Sequence, residues 1–106
     1  MNRVIDHVHA HLARPLRLEE LAKVACFSPF HFHRVFKSVT GAPLNAFVKR
    51  LRLERALYLM SHTEKSLTEI ALEVGFYDHS DFSRQFRRFM GVSPTEYRVQ
   101  GRRARG

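Results

Sequence analysis

Phe76–Gly91 reads FYDHSDFSRQFRRFMG, and the earlier stretch Phe27–Gly41 reads FSPFHFHRVFKSVTG. Each opens on Phe, carries an Arg two turns in, follows it with Phe and a basic residue, and closes on Gly. In a helix, Phe32, Val35, Phe36 and Val39 follow the i, i+3, i+4, i+7 rule and share one face, which is expected to be buried. Phe30, His33, Arg34 and Lys37 follow the same rule on a second face, expected to look outward. The later stretch repeats the design. Phe82, Phe86 and Phe89 form its inward set, and Ser80, Ser83, Arg84 and Arg87 its outward one.

The repetition extends on both sides. Leu21-Ala22 matches Ile70-Ala71 and Phe27 matches Phe76, at an offset of 49. Phe32, Arg34, Phe36, Gly41 and Phe47 match Phe82, Arg84, Phe86, Gly91 and Tyr97 at an offset of 50. One extra residue therefore sits between Phe76 and Phe82. Each copy is a short helix, a tight turn near Cys26 or Gly75, and a longer helix, which is the helix-turn-helix layout.

The rest of the chain also has helical periodicity, with little strand-like alternation. Val4, Ile5, Val8 and Leu12 make a first helix that Pro15 should stop. Leu18 to Ala25 makes a second. Ser28-Pro29 opens the third, which Gly41 ends. Pro43 opens a long fourth helix to about Ser61. Leu67 to Val74 and Asp78 to Met90 follow, and Ser93-Pro94 caps a final short helix. In the fourth helix Leu44, Phe47, Val48 and Leu51 form one stripe, and Leu53, Ala56, Leu57 and Met60 another further along. Such a helix can pack one unit at its start and a second at its end. The expected fold is all-α, about seven helices, with two helix-turn-helix subdomains joined by a long central helix. The divisions fall at 1–42, 43–61 for the linker helix, 62–98, and 99–106 for a basic tail or linker start.

The 106 residues carry 18 Lys plus Arg against 10 Asp plus Glu, a net charge of +8 and a pI near 10.6, which suits a nucleic-acid partner. Fourteen of the 18 cations are Arg, favouring forked contacts to phosphate and guanine. The charge is uneven. Residues 1–53 hold nine cations and three anions, net +6; residues 54–97 hold five and seven, net −2; the remainder from Arg98 adds four Arg. The first unit is expected to supply most of the electrostatic grip and the second mainly to discriminate. A single cysteine, Cys26, excludes an internal disulfide. No apolar run reaches the roughly 20 residues of a membrane span, and the first residues lack a secretory signal's apolar centre. A cytoplasmic location without membrane association is the expectation.

An exposed helix with Arg in its early turns suits the DNA major groove, where Arg can bond guanine O6 and N7 together. Arg34 and Arg84 hold that position. Lys37, Arg87 and Arg88 lie a turn later, where a docked helix passes phosphates, and such contacts position without reading. Phe30 suits a thymine methyl. Ser28 suits a phosphate at the helix start. RNA is a weaker partner, because its deep, narrow major groove shuts side chains out. An RNA polymerase subunit is a second partner that the sequence allows, with Asp6, Glu19 or Glu20 as the acidic contact.

Other constellations lead nowhere. His7 and His11 share a helical face at the spacing of a two-histidine zinc clip, but no third ligand completes it, and a solvated face is expected. Cys26 reads as a buried or half-buried filler. No nucleophile elbow or phosphate-cradling glycine loop occurs, so neither enzymatic activity nor a metal or cofactor is expected.

With the repeat established, GFYDHSDFSRQFRRFMGVSPTEYR resembles the DNA-binding domain of the AraC/XylS family of bacterial transcription regulators, and the resemblance covers about residues 3 to 98. It implies that the third and sixth helices are recognition helices. Phe30, His33 and Arg34 match base-reading positions in the first, and His79, Ser80, Ser83 and Arg84 those in the second. It further implies sequence-specific double-stranded DNA binding by one chain, a monomer on an asymmetric site, with the two helices in successive major grooves. LRLEELAKVACFSPFHFHRVFKSVTG is similar to members that carry this domain first and a gyrase-inhibitor-like effector domain after it. The Met1 start fits that order, and QGRRARG is either the beginning of a linker or a free end. Two features depart from the pattern. Cys26 stands where the second repeat has Gly75, and is strained if that turn is left-handed. Asp78 and Asp81 open the sixth helix, where they suit its dipole but repel phosphate.

Overall fold

The computed structural model describes residues 2–105, with side chains to Gly101. Seven helices and no strand occur among the described residues: α1 (Asn2–Ala10), α2 (Leu18–Val24), α3 (Pro29–Thr40), α4 (Leu44–His62), α5 (Leu67–Glu73), α6 (His79–Met90) and α7 (Pro94–Arg105). The chain divides into two compact units, Met1–Leu51 and Arg52–Gly106, with the boundary inside α4.

The first unit packs α1 on α2 and α2 on α3. Its core is Val4, Val8, Leu12, Leu21, Ala22, Phe32 and Phe36, closed by Leu44 and Val48 from the start of α4. The second packs α5 on α6 and α6 on α7. Its core is Ile70, Ala71, Val74, Phe76, Phe82 and Phe86, with Leu53, Ala56, Leu59 and Met60 from the rest of α4. The two stripes of α4 thus serve different cores. Ring geometry repeats as well. Phe36 meets Phe47 edge-on at 5.1 Å between centroids, and Phe86 meets Tyr97 edge-on at 5.7 Å.

Helix ends follow local chemistry. Ser28 Oγ accepts from the His31 N–H, Ser66 Oγ from Glu69, Asp78 Oδ1 from Asp81 and Ser93 Oγ from Glu96. Each such cap contributes about 1 kcal/mol. Gly41 and Gly91 end α3 and α6 in the left-handed region, at φ +80° and +82°.

Four expectations need correction. The first helix ends at Ala10, not at Pro15: His11 N–H bonds Val8 O and Arg14 N–H bonds His11 O, so i→i+3 turns tighten the chain early while Leu12 still reaches the core. Val39 and Phe89 stand at equivalent places in the repeats, and both are exposed, at 62% and 44%. Each core takes its fully buried residues from the first two turns of its long helix, and Val39 and Phe89 in the third stay outside it. The last helix runs 12 residues through Arg105; the side chains of the basic tail from Arg102, and Gly106 itself, lie outside the described residues. Cys26 is exposed, not a filler.

The reason lies in the turn. Cys26 N–H bonds Lys23 O and Phe27 N–H bonds Ala22 O, the paired bonds of a Schellman motif. Gly75 N–H to Leu72 O and Phe76 N–H to Ala71 O repeat it. That motif needs a left-handed residue, and Cys26 sits at φ +61° where Gly75 sits at φ +103°. A Cβ in that conformation costs about 1–2 kcal/mol. Cys26→Gly is therefore expected to stabilise the protein by about 1 kcal/mol, after the entropy that glycine adds to the unfolded chain. Gly75→Ala should destabilise it by about 1–2 kcal/mol. Urea denaturation midpoints at unchanged m-value measure both.

Candidate nucleic-acid interface

With Phe32 and Phe36 wholly buried, the opposite face of α3 is forced into solvent. Phe30, His33, Arg34 and Lys37 are all exposed, Phe30 at 73%. Around the helix axis, Phe30 and Lys37 lie within about 60° of Arg34, and His33 about 100° away on the flank. The Arg34 guanidinium lies over the Phe30 ring, 5.9 Å from its centroid. Ser28, also exposed, spends its oxygen on the cap at the foot of this face. A shallow open groove of about 330 Å³, lined by His31, Arg34, Val35, Ser38 and Val39, runs along the flank of the same helix.

On α6 the buried pair is Phe82 and Phe86. Ser80, Arg84, Arg87 and Arg88 are exposed, and all lie within about 60° of the Arg84 direction. Ser83 is half-buried on the flank. His79 is exposed but stands about 140° round from Arg84, so this helix face does not gather it with the others.

Two features escaped the sequence reading. Asp81 Oδ1 accepts from Arg84 Nη2 at 3.0 Å, one turn apart on α6. The i, i+3 spacing of opposite charges was the available signal. The extra residue of the second repeat is Tyr77, 88% exposed, just before the cap Asp78. Its insertion lets Phe76 turn into the core, whereas Phe27, directly before Ser28, stays 39% exposed and packs edge-on against His31. The change of offset from 49 to 50 had placed an extra residue between Phe76 and Phe82 without saying which it was.

His7 does not present a free face with His11. Its Nε2 meets Glu20 Oε2, and Arg14 grips the same carboxylate through both terminal nitrogens, at 2.6 and 3.0 Å. The Arg14 guanidinium first, and His7 second, hold the Glu20 carboxyl down to about 2. Among the described residues, no group of three or more His, Cys, Asp or Glu gathers to hold a metal. No described helix is long and apolar enough to cross a membrane.

Comparison with known proteins agrees with the helix-turn-helix fold. Residues 21–100 match a family profile described as a helix-turn-helix domain. The regulatory protein PocR of Salmonella typhimurium is 37% identical over 100 residues, 94% of this chain and 33% of PocR. The regulatory protein SoxS of the same organism is 30% identical over 95 residues, 90% of this chain and 89% of SoxS. The chain spans well under half the length of PocR and of several other curated relatives it matches. Among solved structures, the DNA-binding domain of the transcriptional factor AdpA, in complex with a target DNA, superposes with a TM-score of 0.92 at 31% identity, covering 98% of this chain and 94% of that one. An AraC-type regulator from Chromobacterium violaceum gives 0.87 at 29%, covering 94% and 89%.

The Glu20 cluster makes a prediction about pH. A carboxyl whose folded pKa is depressed stabilises the fold above its unfolded value, here about 4.5, and loses that contribution as pH falls towards about 2. The thermal midpoint should therefore exceed that of Glu20→Gln throughout the range above pH 4.5, and the two should converge near pH 2. Scanning calorimetry across that range tests it.

Proposed function

The chain belongs to the AraC/XylS family of helix-turn-helix transcriptional regulators, and from that premise we propose that it reads one specific duplex site with α3 and α6 in successive major grooves. The family is one of regulators rather than enzymes. The observation that carries the reading is the pair of exposed arginines, Arg34 and Arg84, in matching register on the two long helices, each opposite a buried phenylalanine pair.

In this reading Arg34 and Arg84 each fork onto a guanine edge. Phe30, His33, His79, Ser80 and Ser83 complete the base contacts. Ser28, Lys37, Arg87 and Arg88 hold phosphates and set the register. In this reading the subdomains are 1–42 and 62–98, joined by the linker helix 43–61, and the successive grooves they read lie about 34 Å apart. Binding is by a monomer, in the cytoplasm, with RNA polymerase as the partner that converts binding into regulation. The charge excess of residues 1–53 supports a first unit that supplies most of the grip.

Selection from a random duplex pool should recover two blocks about one helical turn apart; a single short block would mean that only one helix reads. On the recovered duplex, Arg34→Ala and Arg84→Ala should each weaken binding by about 1–3 kcal/mol. On random duplex the Arg34 change should cost more than the Arg84 change. The reverse order would refute the division of labour.

A further inference from the structure

The two reading arginines are held differently. Arg34 lies over an aromatic ring, which leaves its charge uncompensated. Arg84 is bound through Nη2 to the half-buried carboxylate of Asp81. Fifty residues earlier, the place of Asp81 is taken by His31, which packs on Phe27. The carboxylate is thus peculiar to the second unit and lies on the exposed side of α6, about 60° round from Arg84.

We infer that Asp81 is a positioning residue that makes Arg84 selective: it holds one arm of the guanidinium, leaves the other donors for a base edge, and cancels the attraction of Arg84 for phosphate. The inference rests on the proposed base-reading role of Arg84. A guanidinium has five donors in a fixed fork, so one engaged nitrogen still leaves a donor pair for guanine O6 and N7. Phosphate offers charge and no pattern. Exchanging Asp81 for phosphate gains little, and the carboxylate left behind faces the DNA backbone unpaired. Arg52 on α4 also feels the Asp81 charge: burial lowers its pKa, and Asp81 works in the opposite direction. The carboxylate is anchored to Arg84 on its own helix. Its side chain is not needed for the cap, since Asp78 accepts from the Asp81 backbone N–H.

The test is fluorescence anisotropy across a salt series, on the selected duplex and on a random one. The chain, Asp81→Asn, Asp81→Glu, Arg84→Ala and the double variant Asp81→Asn/Arg84→Ala are compared. Asp81→Asn should bind random duplex about five- to tenfold tighter at moderate salt, with a salt slope steeper by about 0.9, the equivalent of one added phosphate contact. The selected duplex should gain less, so the ratio of specific to random affinity falls. Asp81→Glu should restore that ratio, and in the Arg84→Ala background Asp81→Asn should leave it unmoved. An unchanged ratio in Asp81→Asn, or an equal change in both backgrounds, overturns the inference. If Arg84→Ala weakens both duplexes alike, the base-reading premise fails and the inference with it. If Arg84→Ala relaxes specificity while Asp81→Asn does nothing, the inference alone fails.

Discussion

Burial of two phenylalanines one turn apart fixes how each long helix is rotated about its own axis. At 100° per residue, the residue midway between them points about 160° away from both. Phe32 and Phe36 do this for Arg34, and Phe82 and Phe86 for Arg84; all four rings are wholly buried. Each buried Phe contributes about 1.5–3 kcal/mol relative to exposure, so turning either helix to hide its arginine would forfeit several kcal/mol. The outward direction of the arginines follows from the core and needs no separate cause. Phe47 and Tyr97 reinforce it by meeting the inner ring of each pair edge-on.

The same constraint explains what could be read from the residues alone. The Phe pairs, the caps at Ser28 and Ser93, the glycine stops at Gly41 and Gly91 and the two stripes of α4 are all local signals with a fixed period or a fixed chemistry. What stayed hidden depends on how far a neighbouring element extends. Val39 continues the apolar stripe faultlessly, yet it lies in the overhanging third turn. The stop at Ala10 came from turn hydrogen bonds that no residue type announces, while Pro15 offered a stronger and misleading signal. Glu20 read only as a candidate acidic contact for a partner, and its grip by Arg14 and His7 required the fold to bring α1, the turn after it and α2 together. For the interface, outward exposure was legible for every expected residue but the half-buried Ser83, while the pairing of Arg84 with Asp81 went unread because Asp81 had a sufficient reason to sit at a helix start.

The repeat is faithful where packing demands it and free elsewhere. The tight turn keeps its hydrogen bonds in both units, even though the first must place a Cβ where only glycine is comfortable. The single insertion falls at Tyr77, on the surface, and its one effect on packing is that Phe76 enters its core while Phe27 stays outside. One turn chemistry and one ring arrangement have therefore held two helices in the same local pose while their outer residues diverged.

That divergence bears on the symmetry of the target. Taken at the offset of 50, the outward positions pair Phe30 with Ser80, His31 with Asp81, His33 with Ser83, Lys37 with Arg87 and Ser38 with Arg88. Only Arg34 and Arg84 are the same. One face combines an aromatic ring, imidazoles and a lone lysine; the other combines hydroxyls, a carboxylate and three arginines. Two-fold operators mirror two identical reading heads. Faces this unlike, carried on one chain, have no reason to prefer identical half-sites, and on the proposed reading they favour a target whose two blocks share a guanine and little else. The covalent link then does the work that dimer symmetry does elsewhere, fixing order and polarity, so that binding in one direction differs in energy from binding in the other.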